Sequence, residues 1–145
     1  DIAPTLLEAC GLEVPEDMQG HSFLPCLHHP EKKGEDAVYV QISESQVGRA
    51  IRTHRWKYSV EALDKDPLQD PASDHYTETF LYDLEHDPWE QNNLIHSQAH
   101  EPVCAVLREK LLERMRLAGE APAVIESAEK KKMGALKIFP GEEWL

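Results

Sequence analysis

Arg49-Ala50-Ile51-Arg52-Thr53-His54-Arg55-Trp56-Lys57-Tyr58-Ser59-Val60 is the stretch whose reading decides the fold. Two runs rich in β-branched and aromatic side chains flank Thr53-His54-Arg55, and such runs suit a pleated, half-buried surface. A parallel pair would need a crossover of about a dozen residues or more, so the two runs are read as antiparallel neighbours joined by a hairpin. Upstream, Val38-Tyr39-Val40-Gln41-Ile42 has the same character, and downstream Thr79-Phe80-Leu81-Tyr82-Asp83-Leu84 supplies a fourth strand. Between them, Asp64 to Asp74 carries two prolines and four aspartates and reads as a mobile surface loop.

The sheet needs a cover, and one segment can provide it. From Pro102 to Ala118, Val103, Val106, Leu107, Leu111, Met115 and Ala118 fall on one face at helical spacing, with Glu109, Glu113 and Arg116 opposite. Gly119 follows as the stop. A shorter helix is expected at the start, with Pro4 as its first residue, Leu6, Leu7 and Cys10 on its apolar side and Gly11 ending it. Leu12 to Pro25 reads as an extended loop. The segment from Ala121 to Leu145, with its Glu129-Lys130-Lys131-Lys132 run, shows no pattern that assigns it to an element.

Composition excludes some partners. Fifteen Lys and Arg against 27 Asp and Glu give a formal charge of −12, which repels nucleic-acid backbones and anionic membrane surfaces. No apolar run approaches the roughly 20 residues that span a bilayer. Cys10, Cys26 and Cys104 are odd in number and widely spaced, without a C-x-x-C pair, so reduced, buried thiols and a reducing compartment are expected. A chain opening on Asp1-Ile2-Ala3-Pro4-Thr5, with no initiator Met and no signal core, is expected to start inside a longer protein, which leaves its localisation unknown.

Three stretches in order carry a resemblance. Asp1-Ile2-Ala3-Pro4-Thr5-Leu6-Leu7-Glu8-Ala9-Cys10-Gly11, with Gln19-Gly20-His21-Ser22-Phe23-Leu24-Pro25 after it, resembles a helix and turn late in the catalytic domain of sulfatases. Arg49 to Tyr58 is similar to the hairpin of their smaller terminal subdomain. Leu81-Tyr82-Asp83-Leu84-Glu85-His86-Asp87-Pro88-Trp89-Glu90-Gln91-Asn92-Asn93-Leu94 is similar to their "L-Y-D-L-x-x-D-P-x-E-x-x-N-L" turn. The resemblance runs from Asp1 to about Gly119. It implies an α+β fragment of an α/β enzyme: residues 1–25 end the catalytic domain and 26–119 form a C-terminal subdomain with a small four-stranded antiparallel sheet packed by a long helix; residues 120–145, which it does not cover, are a tail of uncertain structure.

The same resemblance implies sulfate-ester hydrolysis by the intact enzyme, a formylglycine nucleophile made from a C/S-x-P-x-R motif, and a calcium ion. No cysteine or serine here begins that motif. Catalytic and metal residues are therefore expected upstream, in a missing N-terminal catalytic domain, and the chain alone is expected to be inactive. A phosphonate or phosphate monoester hydrolase of the same superfamily, or a non-catalytic binding or scaffold module, stays open until the upstream nucleophile is known. His21, Cys26, His28 and His29 match no zinc spacing, and Asp83, Asp87 and Glu90 match no EF-hand.

Gln41, Glu44 and Arg49 are the candidate substrate-binding residues. In relatives this strand and hairpin can face the cleft, where an amide or carboxylate bonds hydroxyls and a guanidinium pairs with an anion. The alternative is that they are ordinary strand-end and turn residues. An exposed apolar side on the first helix, orphaned from the catalytic domain, also raises self-association as an expectation.

Overall fold

The computed structural model describes residues 1–29, 31, 34 and 36–131; the remainder of the tail, 132–145, lies outside the described residues. The chain forms two compact units, one over Asp1–Asp36 and one from Ala37 onward.

In the first unit, α1 spans Ile2–Ala9. Pro4 is its third residue rather than its first, still within the turn whose N–H groups lack helical partners, so the proline costs no bond. Gly11 adopts φ 70, and its amide donates to the Glu8 carbonyl at 2.9 Å, which ends the helix where the sequence expected. The Thr5 hydroxyl accepts from the Phe23 amide at 3.0 Å and so ties the returning chain to the helix. The expected loop contains a short helix, α2, at Leu24–His28, with Pro25 in its first turn and the Ser22 hydroxyl accepting from the Leu24 amide at 3.2 Å. Ile2 and Leu6 are exposed on α1, and so is Cys10 at its C-cap.

The second unit is a sheet covered on one face by a helix. Strands β1 (Ala37–Ser43), β2 (Val47–Thr53), β3 (Trp56–Glu61) and β4 (His75–Asp83) form an antiparallel meander, and β5 (Val124–Glu126) adds to β4 in parallel. The sheet is thus five-stranded and mixed, in the order β1-β2-β3-β4-β5, where four antiparallel strands were expected. A three-residue strand carries too little periodicity to be read from sequence, and its pairing is fixed by contacts about fifty residues away, described below.

Helix α3 runs over Glu101–Leu117, after a 3-10 turn at Gln98–His100. Val103, Cys104, Leu107, Leu111 and Met115 are buried against Ile51, Trp56, Tyr58, Val60, Tyr76 and Leu81 of the sheet. Val106 and Ala118 of the expected stripe are only half-buried, and Cys104 takes the inner position instead. The expectation of buried thiols holds for Cys104; Cys26 is half-buried and Cys10 exposed, and all three are free.

The turn after β4 is built from its side chains. Asp87 accepts from the Gln91 and Asn92 amides at 3.0 and 2.7 Å. Asn93 Oδ1 accepts from the Leu81 and Ile95 amides at 3.0 and 3.1 Å while its Nδ2 donates to the Thr79 carbonyl at 2.9 Å. The asparagine thereby fastens the return segment to β4 and sets the chain's entry into α3.

Candidate functional site

The candidate hairpin is organised around a buried guanidinium. Its register pairs Gln41 with Arg49 and Ser43 with Val47, so Glu44, Ser45 and Gln46 make the turn. Gln41 and Glu44 are exposed, whereas Arg49 is 1% exposed. The Arg49 Nε donates to both carboxylate oxygens of Glu120, at 2.7 and 2.9 Å. Its Nη1 donates to the Gly48 carbonyl at 2.8 Å and its Nη2 to the Pro71 carbonyl at 3.1 Å. The group also lies over the Tyr76 ring, 5.7 Å from its centroid.

The Tyr39 hydroxyl donates to the same Glu120 carboxylate. Burial and then the adjacent Glu120 push the Tyr39 hydroxyl well above its ordinary pKa, so it remains a donor. Burial is the largest influence on the Arg49 cation and works against it, but the hydrogen bond to Glu120 together with the charges of Glu120, Tyr76 and Tyr39 raises its pKa. These groups hold their protons and fix the backbone; they form no acid–base pair poised near neutral pH. The structure brings Gln41 and Glu44 to the surface of one hairpin, and brings Arg49 beneath it. Glu120 was not singled out in the sequence, where it is one acidic residue after a helix stop.

A second cluster surrounds Glu78, whose side chain is fully buried. Its carboxylate accepts from Arg108 Nη2, from Lys130 Nζ at 2.9 Å, from the Ala128 amide at 2.9 Å and from the Tyr58 hydroxyl at 3.0 Å. Burial alone would raise the Glu78 pKa, but the Arg108 and Lys130 hydrogen bonds win and hold it below the ordinary carboxylate value. Lys130 also donates to the Ile95 carbonyl at 2.7 Å and lies 3.5 Å from Cys104 Sγ. Its neighbours in the basic run conceal it, because a charge run reads as solvated surface. Burial pushes the Cys104 thiol up to about 11, so it is protonated and unreactive at neutral pH.

A third cluster joins β3 to the end of β4. Arg55 Nε donates to the Asp83 oxygens at 3.1 and 3.2 Å and Nη2 donates at 2.9 Å, while His86 Nδ1 lies 3.0 Å away from the same carboxylate. Asp83, Glu85 and His86 are the one group among the described residues whose ligand atoms come within 4.8 Å of one another. Both Asp83 oxygens already face the Arg55 guanidinium, so a cation there would meet a fixed positive charge. Asp87 is occupied by the turn, and Glu90 pairs with Lys57 at 2.6 Å. The described residues do not make a calcium cradle, and the sequence holds no formylglycine motif.

These three polar clusters all lie in the second unit, from Ala37 onward. A family model described as N-sulphoglucosamine sulphohydrolase, C-terminal, matches residues 1–117. The chain belongs to the sulfatase family. This sulfatase chain is 35% identical over 138 residues to an ulvan-active sulfatase of Formosa agariphila, covering 79% of this chain and 27% of that protein. It is 32% identical over 97 residues to an N-acetylglucosamine-6-O-sulfatase of Bacteroides thetaiotaomicron, covering 65% of this chain and 16% of that protein. Among solved structures it resembles BT4656 in complex with its substrate D-glucosamine-2-N,6-O-disulfate, at TM-score 0.66 and 27% identity over 82% of this chain and 24% of that one. The chain thus spans about a quarter, or less, of the length of these relatives.

Proposed function

We propose that the intact protein hydrolyses a sulfate ester carried on a saccharide, and that this sulfatase chain completes its fold and walls the substrate cleft. The observation that supports this reading is the match to the C-terminal sulfatase family over residues 1–117, with relatives named for sulfated-saccharide substrates. We assign the formylglycine and calcium that the family implies to the part of the protein this chain does not include, a reading supported by the lack of a C/S-x-P-x-R motif in its sequence. When bound, that pair would supply the nucleophile and stabilise charge on the sulfate.

The part assigned to this chain is positioning. Exposed Gln41 and Glu44 present an amide and a carboxylate to sugar hydroxyls, and Arg49 acts through the hairpin, which it braces from beneath to Glu120 and Pro71. The test is sulfate release from sulfated mono- and disaccharides by the intact protein, beside a phosphate monoester and beside the 145-residue chain alone. Sulfate release by the intact protein only is expected. Faster turnover of the phosphate monoester, or turnover by the chain alone that scales with protein, would overturn the proposal.

A further inference from the structure

The β1–β2 turn carries a further polar side chain, Gln46, placed between Ser45 and the buried Val47. Glu44 and Ser45 stand exposed, whereas Gln46 is half-buried. Its amide nitrogen lies across Gly48: a Cβ built on that glycine would come within 2.9 Å of Gln46 Nε2. Gly48 does not adopt a positive φ. What the position takes from glycine is therefore the missing side chain, as where another group approaches a strand closely.

The platform under the amide is fixed from several sides. Gly48 pairs with Ile42 across the hairpin, and Arg49 Nη1 donates to both of their carbonyls, at 2.8 and 3.4 Å. The Val47 carbonyl accepts from the Ala62 amide at 2.9 Å, which ties the start of β2 to the chain leaving β3. Ile42 Cγ2 and the Val60 carbonyl oxygen lie 3.2 and 3.4 Å from the same Cβ position, so a methyl and a carbonyl close round the glycine beside the amide. Yet the Gln46 carboxamide makes no hydrogen bond among the described residues, and none of its atoms is sealed from solvent. A carboxamide offers two N–H donors and an oxygen with two lone pairs. Here they are settled in place and still open to a ligand.

We infer that Gln46 reads the substrate, its carboxamide bonding neighbouring hydroxyls of the saccharide ring with Gly48 as the positioning residue that lets it lie flat, an inference that rests on the proposed place of this hairpin in the cleft wall. A neutral group that both donates and accepts matches two adjacent hydroxyls, one offering its proton and the other a lone pair, whereas the Glu44 carboxylate can only accept. Because the side chain is confined before the sugar arrives, less rotamer freedom is lost on binding. A sugar lacking the hydroxyl in question forfeits the contact, so Gln46 discriminates between saccharides.

The test uses the intact protein and the sulfated mono- or disaccharide that the wild type turns over best, together with the singly deoxygenated analogues of that sugar. In Gln46→Ala, KM for the parent saccharide should rise about 3- to 10-fold, the worth of one or two neutral hydrogen bonds, with the change carried by KM. For at least one deoxygenated analogue the variant and the wild type should become equal. Gly48→Ala should raise KM in the same direction by displacing the amide, and the double variant should go no further than Gln46→Ala alone. A wild-type KM in Gln46→Ala at a wild-type melting temperature, or a penalty that persists on every analogue, would overturn the inference. Effects that multiply in the double variant would overturn the role given to Gly48. Gln46→Ala removes an unbonded side chain from a turn, so it decides the point whether or not Gly48→Ala folds. A wild type that releases no sulfate refutes the reading of the hairpin and this inference with it, whereas an active wild type with unaltered variants refutes the inference alone.

Discussion

Replacing Glu78 by alanine should cost the second unit about 3 kcal/mol of stability and release β5 first. The carboxylate is fully buried and accepts from Arg108, Lys130, Tyr58 and the Ala128 amide. Removing one partner of a buried ion pair typically costs about 3–5 kcal/mol, because the other charge stays in the interior uncompensated. Here two cations would be left facing each other. The lower end of that range is expected, because Glu101 remains 3.2 Å from Lys130 and 3.7 Å from Arg108, and the Ser127 hydroxyl still accepts from Arg108 at 2.8 Å.

In urea unfolding, a loss of about 3 kcal/mol moves the midpoint by on the order of 1–3 M for slopes of about 1–3 kcal/mol/M. Hydrogen exchange should show the Ile125 and Ala128 amides opening before those of β2 and β3, since β5 and the segment after it depend on this contact. The pH dependence follows from the direction of the shift. Both Glu78 and Asp83 have folded-state pKa values lowered below their unfolded ones, so their contributions are fully present above the ordinary carboxylate range and disappear as pH falls through the folded values. Wild type should lose stability on acidification more steeply than Glu78→Ala. A loss under about 1 kcal/mol, or parallel pH profiles for the two proteins, would refute this account of the cluster.

Leu111 is fully buried between α3 and the sheet, so Leu111→Ala should cost about 2–5 kcal/mol in the same unfolding assay; an unchanged midpoint would mean that the helix does not pack there. Glu120→Ala leaves the buried Arg49 guanidinium with backbone carbonyls and the Tyr76 ring but no counter-charge, and should destabilise by about 3 kcal/mol, with Glu120→Gln recovering part of the loss as seen by thermal melting. In the intact enzyme, Gln41→Ala and Glu44→Ala should raise KM for the saccharide substrate several-fold with kcat unchanged, as expected for contacts equal in ground and transition states. Unchanged KM in both variants would remove the hairpin from the cleft.

Much of this fold is legible in local pattern. The β2–β3 hairpin declares itself by two strand-like runs with no room for a crossover, and α3 by a stripe in which Leu107, Leu111 and Met115 recur at helical spacing. Gly11 and Gly119 end their helices at φ 70 and φ 80 as their positions suggest. What stays hidden depends on distant partners. β5 is three residues long and takes its place only because β4 offers an edge and Glu78 accepts the Ala128 amide fifty residues away. Lys130 reads as one cation among several, yet its half-buried ammonium donates to the buried Glu78 carboxylate and the Ile95 carbonyl. Arg49 likewise reads as a strand-end charge open to a ligand, and nothing local discloses the Glu120 carboxylate beneath it.

That concealed pairing gives the segment beyond the family match a role. Residues 118–131 lie outside the region matched by the C-terminal sulfatase model, yet they supply β5 and tie the sheet down on either side of it. At one end Glu120 holds Arg49 and Tyr39 under the hairpin that carries Gln41 and Glu44. At the other, Ala128 and Lys130 close on Glu78 behind β4. Both contacts are charge-assisted and each has a buried partner, Arg49 in one and Glu78 in the other, the kind that costs most when half is removed. The hairpin's rigidity therefore depends on a segment about seventy residues later in sequence. On the proposed reading of the hairpin, Glu120→Ala should therefore raise KM for the saccharide substrate through the backbone of Gln41 and Glu44, and an unchanged KM with the fold intact would separate the tail from the hairpin's role.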